Sequence, residues 1–223
     1  MKGIVIVLML VVSMIGAPDR KTPGEEQDVP LSEQLEGLAP EPRIAYLRHL
    51  LSTGSTGPDV FFQLGVAFHE SAAYDSALHY YAKAKEVDPD YTKAYVNMGV
   101  IYDELGQLLR ALTLFEGAAD IDSTDILAHA HAAFIRYQLE DYREAWSLLE
   151  QALRMGPDHP QPHFYLAIFF WENKIYREAL REWEKVVELD GDGYLAAKAR
   201  ENIIMLQKVL KTAKQSSDWK PQL

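Results

Sequence analysis

Seven histidines and 33 carboxylates are the residues able to do chemistry in this chain of 223, which has no cysteine. Without thiols there are no disulfides, thiolate nucleophiles, zinc-thiolate sites or cysteine-borne lipid anchors. His129, His131, His159 and His163 fall near enough in sequence to invite a metal site or a general base. Their spacing argues otherwise. His129 and His131 are two apart, so on a helix they point in different directions. Helix packing is the role this spacing favours, while His49, His69 and His79 are scattered and carry no signal alone. Carboxylates such as Glu182, Glu184 and Glu188 read as a solvated helix exterior, and no pair is set apart for general acid–base work. Phosphate-cradling loops, nucleophile elbows and zincin helices are absent. The expectation is a chain without enzymatic activity, cofactor or metal.

The charge balance limits the partners. With 33 Asp and Glu against 22 Lys and Arg the formal charge is −11, and no basic run is present. Phosphate binding needs a basic face, so nucleic acid is not the expected partner. Hydrophobic residues make up 48% of the chain, enough for a substantial core.

The elements that position these side chains follow from an internal period. Ala77, Ala111, Ala145 and Ala179 are spaced by 34 residues, as are Gly65, Gly99, Ala133 and Ala167. The same step joins Tyr74, Leu108, Tyr142 and Tyr176, then Tyr81, Phe115, Leu149 and Trp183. It also joins Ala84, Ala118, Ala152 and Val186, and the breakers Pro89, Ser123, Pro157 and Gly191. Phe61, Leu64, Gly65 and Phe68 keep the i, i+3, i+4, i+7 spacing of an apolar stripe, and Ala77, Tyr81 and Ala84 do the same for a second helix. Small residues at Gly65 and Ala77 let those two helices approach closely. Pro89 and Pro157 stop the second helix, because proline lacks a donor and clashes with the preceding turn. The pattern predicts four antiparallel helix pairs at 58–91, 92–125, 126–159 and 160–193.

Phe61, Leu64, Gly65, Phe68, Ala77, Tyr81, Ala84 and Pro89 together resemble the pattern of the tetratricopeptide repeat family. The second unit meets it with Tyr95, Met98, Gly99, Tyr102, Ala111, Phe115 and Ala118, carrying Ser123 in place of proline. Units three and four depart further, with His129, Ala132, Ala133 and Arg136, then His163, Leu166, Ala167 and Phe170, at the first-helix places. His129 and His163 thus stand where the family packs an aromatic ring. The resemblance implies an all-α fold, a right-handed α-solenoid of four repeats with flanking capping helices.

A solenoid needs closed ends. Residues 194–212 form one expected cap, with Leu195, Ala199, Ile203, Leu206 and Leu210 on one face and Lys198, Arg200, Glu201, Lys208 and Lys211 on the other. Residues 41–53 form the expected amino-terminal cap, and 213–223 a polar, flexible tail. Lys2 followed by an apolar stretch from Gly3 to Gly16 outlines a secretory signal over 1–17. At about 15 residues the stretch falls short of the roughly 20 that span a bilayer, which favours a cleaved signal. Pro18 directly after Ala17 disfavours cleavage there, so a retained anchor over 3–17 stays open. Residues 18–40, rich in Pro, Glu, Asp and Gln, read as a disordered tether with at most a turn of helix at Leu31–Leu38. The expected location is outside the cytoplasm, in a bacterial periplasm, with membrane contact only if the segment is retained.

The family's geometry implies a concave surface lined by the first helix of each unit, and such surfaces bind protein or peptide segments. The implied lining is Phe62, Gln63, Val66 and His69 in unit one, then Val96, Asn97 and Val100 in unit two. His131, Phe134 and Tyr137 continue it, and Phe164, Tyr165, Ile168 and Trp171 complete it. Asn97 matches one place of the family's chaperone clamp, but Phe62, Leu127 and His131 stand where basic or amide groups are needed. The implied ligand is an apolar or aromatic protein segment, with Tyr137, Tyr165 and Trp171 as anchors. An alternative role for the rings is to fill the tight curvature between units. The implied function is a non-enzymatic interaction scaffold. The alternatives are an assembly factor for secretion, cytochrome maturation or outer-membrane biogenesis, or a regulatory or substrate-presenting subunit of an envelope enzyme.

Overall fold

Each 34-residue period folds into two helices in a computed structural model that describes residues 30–215. The export segment, most of the tether, and the tail beyond Gln215 lie outside the described residues. The chain forms two units, 1–36 and 37–223. In the first, α1 (Leu31–Gln34) is a single turn.

In the second unit α2 (Pro40–Ser52) precedes four helix pairs. These are α3 (Pro58–Glu70) with α4 (Tyr74–Val87), and α5 (Thr92–Glu104) with α6 (Leu108–Ile121). They continue as α7 (Ile126–Gln138) with α8 (Tyr142–Met155), and α9 (Pro160–Glu172) with α10 (Tyr176–Asp190). Helix α11 (Tyr194–Gln215) closes the array, and no strand occurs among the described residues. The fold is an all-α solenoid.

Local chemistry sets the ends of these helices. Pro58 and Pro160 open α3 and α9, where a missing N–H costs nothing. Asp125 caps α7 by accepting the Ala128 N–H at 2.9 Å. Each first helix then ends in the same hydrogen-bonded turn. Ala73, Gln107, Asp141 and Ile175 donate N–H to Phe68, Tyr102, Arg136 and Phe170 carbonyls at 2.8–2.9 Å. The residue just before each donor, Ala72, Gly106, Glu140 or Lys174, takes a positive φ between 54° and 70°. This is the left-handed stop of a Schellman motif.

Packing follows the columns of the sequence. Ala77, Ala111, Ala145 and Ala179 are wholly buried. A Cβ on Gly65 would collide with the Tyr81 ring, and one on Gly99 would meet Phe115 at 2.6 Å. Where Ala133 replaces the glycine, the opposing position carries the smaller Leu149. α3 packs on α2 and α4, and each later first helix packs on its own second helix, on the second helix before it, and on the first helix before it.

Candidate functional site

The first helices α3, α5, α7, α9 and then α11 each touch the next, whereas among the described residues no second helix touches another. They therefore form the more closely spaced layer of the array, the layer from which the expected groove lining comes. Val66, Val100, Phe134 and Ile168 make one column of that lining, and all four are half-buried. Phe62, Phe164, Gln63, Asn97 and His131 flank it, also half-buried, and His69, Tyr137 and Trp171 stand near the helix ends.

Val96 and Tyr165 depart from the expected lining. They are 5% and 6% exposed and belong to the core. Tyr165 stacks on Phe134 with ring centroids 4.5 Å apart, and its hydroxyl donates to His131 Nδ1 at 2.7 Å. His131 in turn stacks on Phe115 at 4.9 Å. Tyr165 fills the space between α7 and α9, next to the small Ala130 and Ala133, so it presents no ring to a partner. Burial raises its phenol pKa and lowers that of His131 to about 4, a shift to which His159 adds. Asn97 is engaged within the fold as well, donating from Nδ2 to the Lys93 carbonyl at 2.9 Å. Trp171 leans on Tyr176 and Trp183 at 5.5 and 5.8 Å but keeps part of its surface open.

The buried histidines have a packing role. His129 Nε2 donates to the Ser123 carbonyl at 3.0 Å, and His163 Nε2 to the Pro157 carbonyl at 2.8 Å. Tyr95, 34 residues before His129, donates its hydroxyl to the Pro89 carbonyl at 3.0 Å. All three tie the start of a first helix to the loop before it. His163 Nδ1 also lies 2.6 Å from Glu182 Oε2, which ties α9 to α10. At His129 the position facing that nitrogen is Leu148 in sequence register, and its Nδ1 has no partner among the described residues. Among those residues no three His, Asp or Glu side chains gather to hold a metal.

Polar rungs join successive first helices along the rim. His69 Nε2 donates to Glu104 at 3.1 Å, Gln138 Nε2 to Asp103 at 3.2 Å, and Asn173 Nδ2 to the Tyr137 oxygen at 3.3 Å. Burial raises the Asp103 pKa, with Glu104 adding and the Gln138 bond opposing.

A cleft of about 600 Å³ opens at the turn edge of units three and four, which the sequence reading did not identify. Tyr137 and Phe169, stacked at 4.1 Å, contribute to its walls with Tyr142, Trp146, Phe170 and Ile175, and Glu172 and Asn173 line it too. One sequence signal was available. Trp146 occupies the column of Leu78, Leu112 and Leu180, where its larger ring remains 44% exposed.

Comparison with known proteins agrees with this architecture. No curated protein matches the chain significantly. The thermophilic TPR protein TTC0263 of Thermus thermophilus is similar in fold, with 17% identity and a TM-score of 0.65 over 90% of this chain and 96% of that one. The APC/C hetero-tetramer Cut9-Hcn1 contains a similar array, with 14% identity and a TM-score of 0.69 over 78% of this chain and 34% of that one. MamA shares 12% identity and a TM-score of 0.55 over 73% of this chain and 96% of that one. At these identities the likeness is one of fold. The tetratricopeptide repeat pattern itself matches residues 62–126 and 132–200, more than half of the chain, which is therefore a member of the tetratricopeptide repeat family.

Proposed function

We propose that the protein is a non-enzymatic scaffold that holds an apolar or aromatic segment of a partner protein in the groove of its first helices. Repeats of this family mediate protein–protein interaction. The observation that carries the reading is the column Val66, Val100, Phe134 and Ile168, four apolar side chains that run across all four units and keep part of their surface open. A continuous apolar strip flanked by Phe62, Phe164 and Trp171 suits an extended or helical segment with bulky residues at intervals. The envelope location is part of the same proposal and rests on Lys2 and the apolar stretch Gly3–Gly16.

Photo-crosslinking in the native host tests both parts. A benzoylphenylalanine placed at Val100 or Ile168 is expected to trap a discrete protein, and one at the exposed second-helix positions Thr113 or Glu144 is not. Trp171→Ala should cut that crosslink about tenfold, or about 1.4 kcal/mol, with helical content unchanged. Equal trapping from both faces would remove the groove from the reading. The amino-terminal mass of the same protein reports export: an intact Met1 on a soluble cytosolic chain would overturn the location. An intact Met1 in the membrane fraction would mark residues 3–17 as an anchor.

A further inference from the structure

Positions 68, 102, 136 and 170 are successive members of one 34-residue column at the end of the first helices. Two of them lie beneath a guanidinium and a third is itself an arginine. The Arg48 guanidinium lies 5.7 Å from the Phe68 ring, and that of Arg110 lies 5.7 Å from the Tyr102 ring. In unit three the column residue is itself Arg136, paired with Glu116 and, at 3.2 Å, with Asp141. Among the described residues no cation stands over Phe170, the fourth member. Its ring lines the cleft, as do those of Trp146 and Tyr142, 44% and 57% exposed.

The chemistry of the cleft suits a cation. The faces of Trp, Tyr and Phe rings carry negative potential and attract ammonium and guanidinium groups. Glu172 is the one ionised group among the described residues that line it, and it is exposed. Asn173 donates its Nδ2 hydrogens to the Phe169 carbonyl at 2.7 Å and the Tyr137 oxygen at 3.3 Å, which leaves its own carbonyl as an acceptor. Glu172 and Asn173 thus offer acceptors to a ligand, which favours a donor-rich cation over a carboxylate or phosphate. The chain's net charge of −11 adds long-range attraction for a basic segment. A volume of about 600 Å³ admits a guanidinium together with the side chains beside it.

We propose that the cleft between units three and four is a second binding site, one that takes an arginine side chain presented by a partner protein. It lies at the turn edge, off the apolar strip of the groove, and stands or falls separately from the groove.

The test uses the full chain and three small probes followed by the indole NMR signals. These are N-acetyl-arginine amide, its uncharged isostere N-acetyl-citrulline amide, and N-acetyl-phenylalanine amide. The arginine probe is expected to shift the Trp146 indole signal saturably in the millimolar range, with citrulline at least about fivefold weaker. Glu172→Gln, at an exposed position, should weaken arginine binding about threefold, and raising salt from about 0.05 to 0.5 M should weaken it as well. Trp146→Ala, read by the Asn173 and Ile175 backbone amide signals because the reporting indole is gone, should abolish the saturable shift with the circular dichroism unchanged, whereas Trp171→Ala in the groove should leave arginine binding as it was. Equal binding of citrulline, tighter binding of the phenylalanine probe, or no saturable shift at about 50 mM would each overturn the proposal. Should Trp146→Ala unfold, the Glu172→Gln and citrulline comparisons decide it alone.

Discussion

His131 shows how one half-buried side chain, its imidazole held between two rings, ties stability to pH. It is enclosed by Phe115 and Tyr165 and takes the Tyr165 hydroxyl hydrogen at 2.7 Å, which requires a neutral Nδ1. Burial holds its pKa near 4 instead of the ordinary 6.5. Above pH 6.5 the ring is neutral in folded and unfolded chains alike and the shift has no effect. Below it the unfolded chain binds a proton that the fold refuses, so stability falls as pH falls, by up to about 3 kcal/mol near pH 4. His131→Asn, the residue type found at Asn97 in the preceding unit, should remove that part of the slope in urea titrations between pH 6.5 and 4. Above pH 6.5 it should also lower stability through the lost ring contact, a deficit that narrows as the pH falls toward 4. The packing role of His129 and His163 was legible from their column, which holds Phe61 and Tyr95 in the first two units. The burial of Tyr165 was not, since its column otherwise carries Gln63, Asn97 and His131 and so reads as a polar surface.

The turn between the two helices of each unit is the element whose backbone is least at ease. Four residues spaced by 34 take the left-handed conformation, yet only Gly106 is a glycine. An L side chain there costs roughly 1–2 kcal/mol, part of which glycine gives back through its greater freedom in the unfolded chain. Glu140→Gly is therefore expected to stabilise the protein by about 0.5–1 kcal/mol, and Gly106→Ala to destabilise it by a similar amount, measured by thermal or urea unfolding. An unchanged midpoint for both would contradict the strain. The helices were readable because their apolar stripes repeat in type as well as place. These turns were not, because Ala72, Glu140 and Lys174 share no property that betrays a positive φ. The cleft escaped notice for a related reason, being assembled from the ends of α7 and α9, the start of α8 and the turn before α10, a stretch that runs from Tyr137 to Ile175.

At the scale of the array, the closing helix decides whether the molecule remains a single particle. α11 starts 34 residues after α9 and packs against both α9 and α10, which places it where a fifth first helix would stand. Its buried face, Ala196, Ala199 and Leu206, covers Ala167, Trp183 and Val186. Truncation before Tyr194 uncovers that surface and is expected to give aggregation and dye binding, seen by light scattering and ANS fluorescence. A soluble, fully helical truncation would show that unit four closes itself. The outer face of α11 differs from every other first helix. Where the others carry Gly65, Gly99, Ala133 and Ala167 to receive a second helix, it carries Glu201, with Arg200 beside it, and both are exposed. Stacked repeats have no inherent length, since every unit offers its successor the surface it received from its predecessor. Here that place carries two exposed ions, Glu201 paired with Lys198 and Arg200 with Asp192, which no following helix can cover without desolvating them. Duplication can therefore lengthen the array only by inserting periods ahead of residue 194, and a copy appended behind α11 would hang from the chain as a separate body.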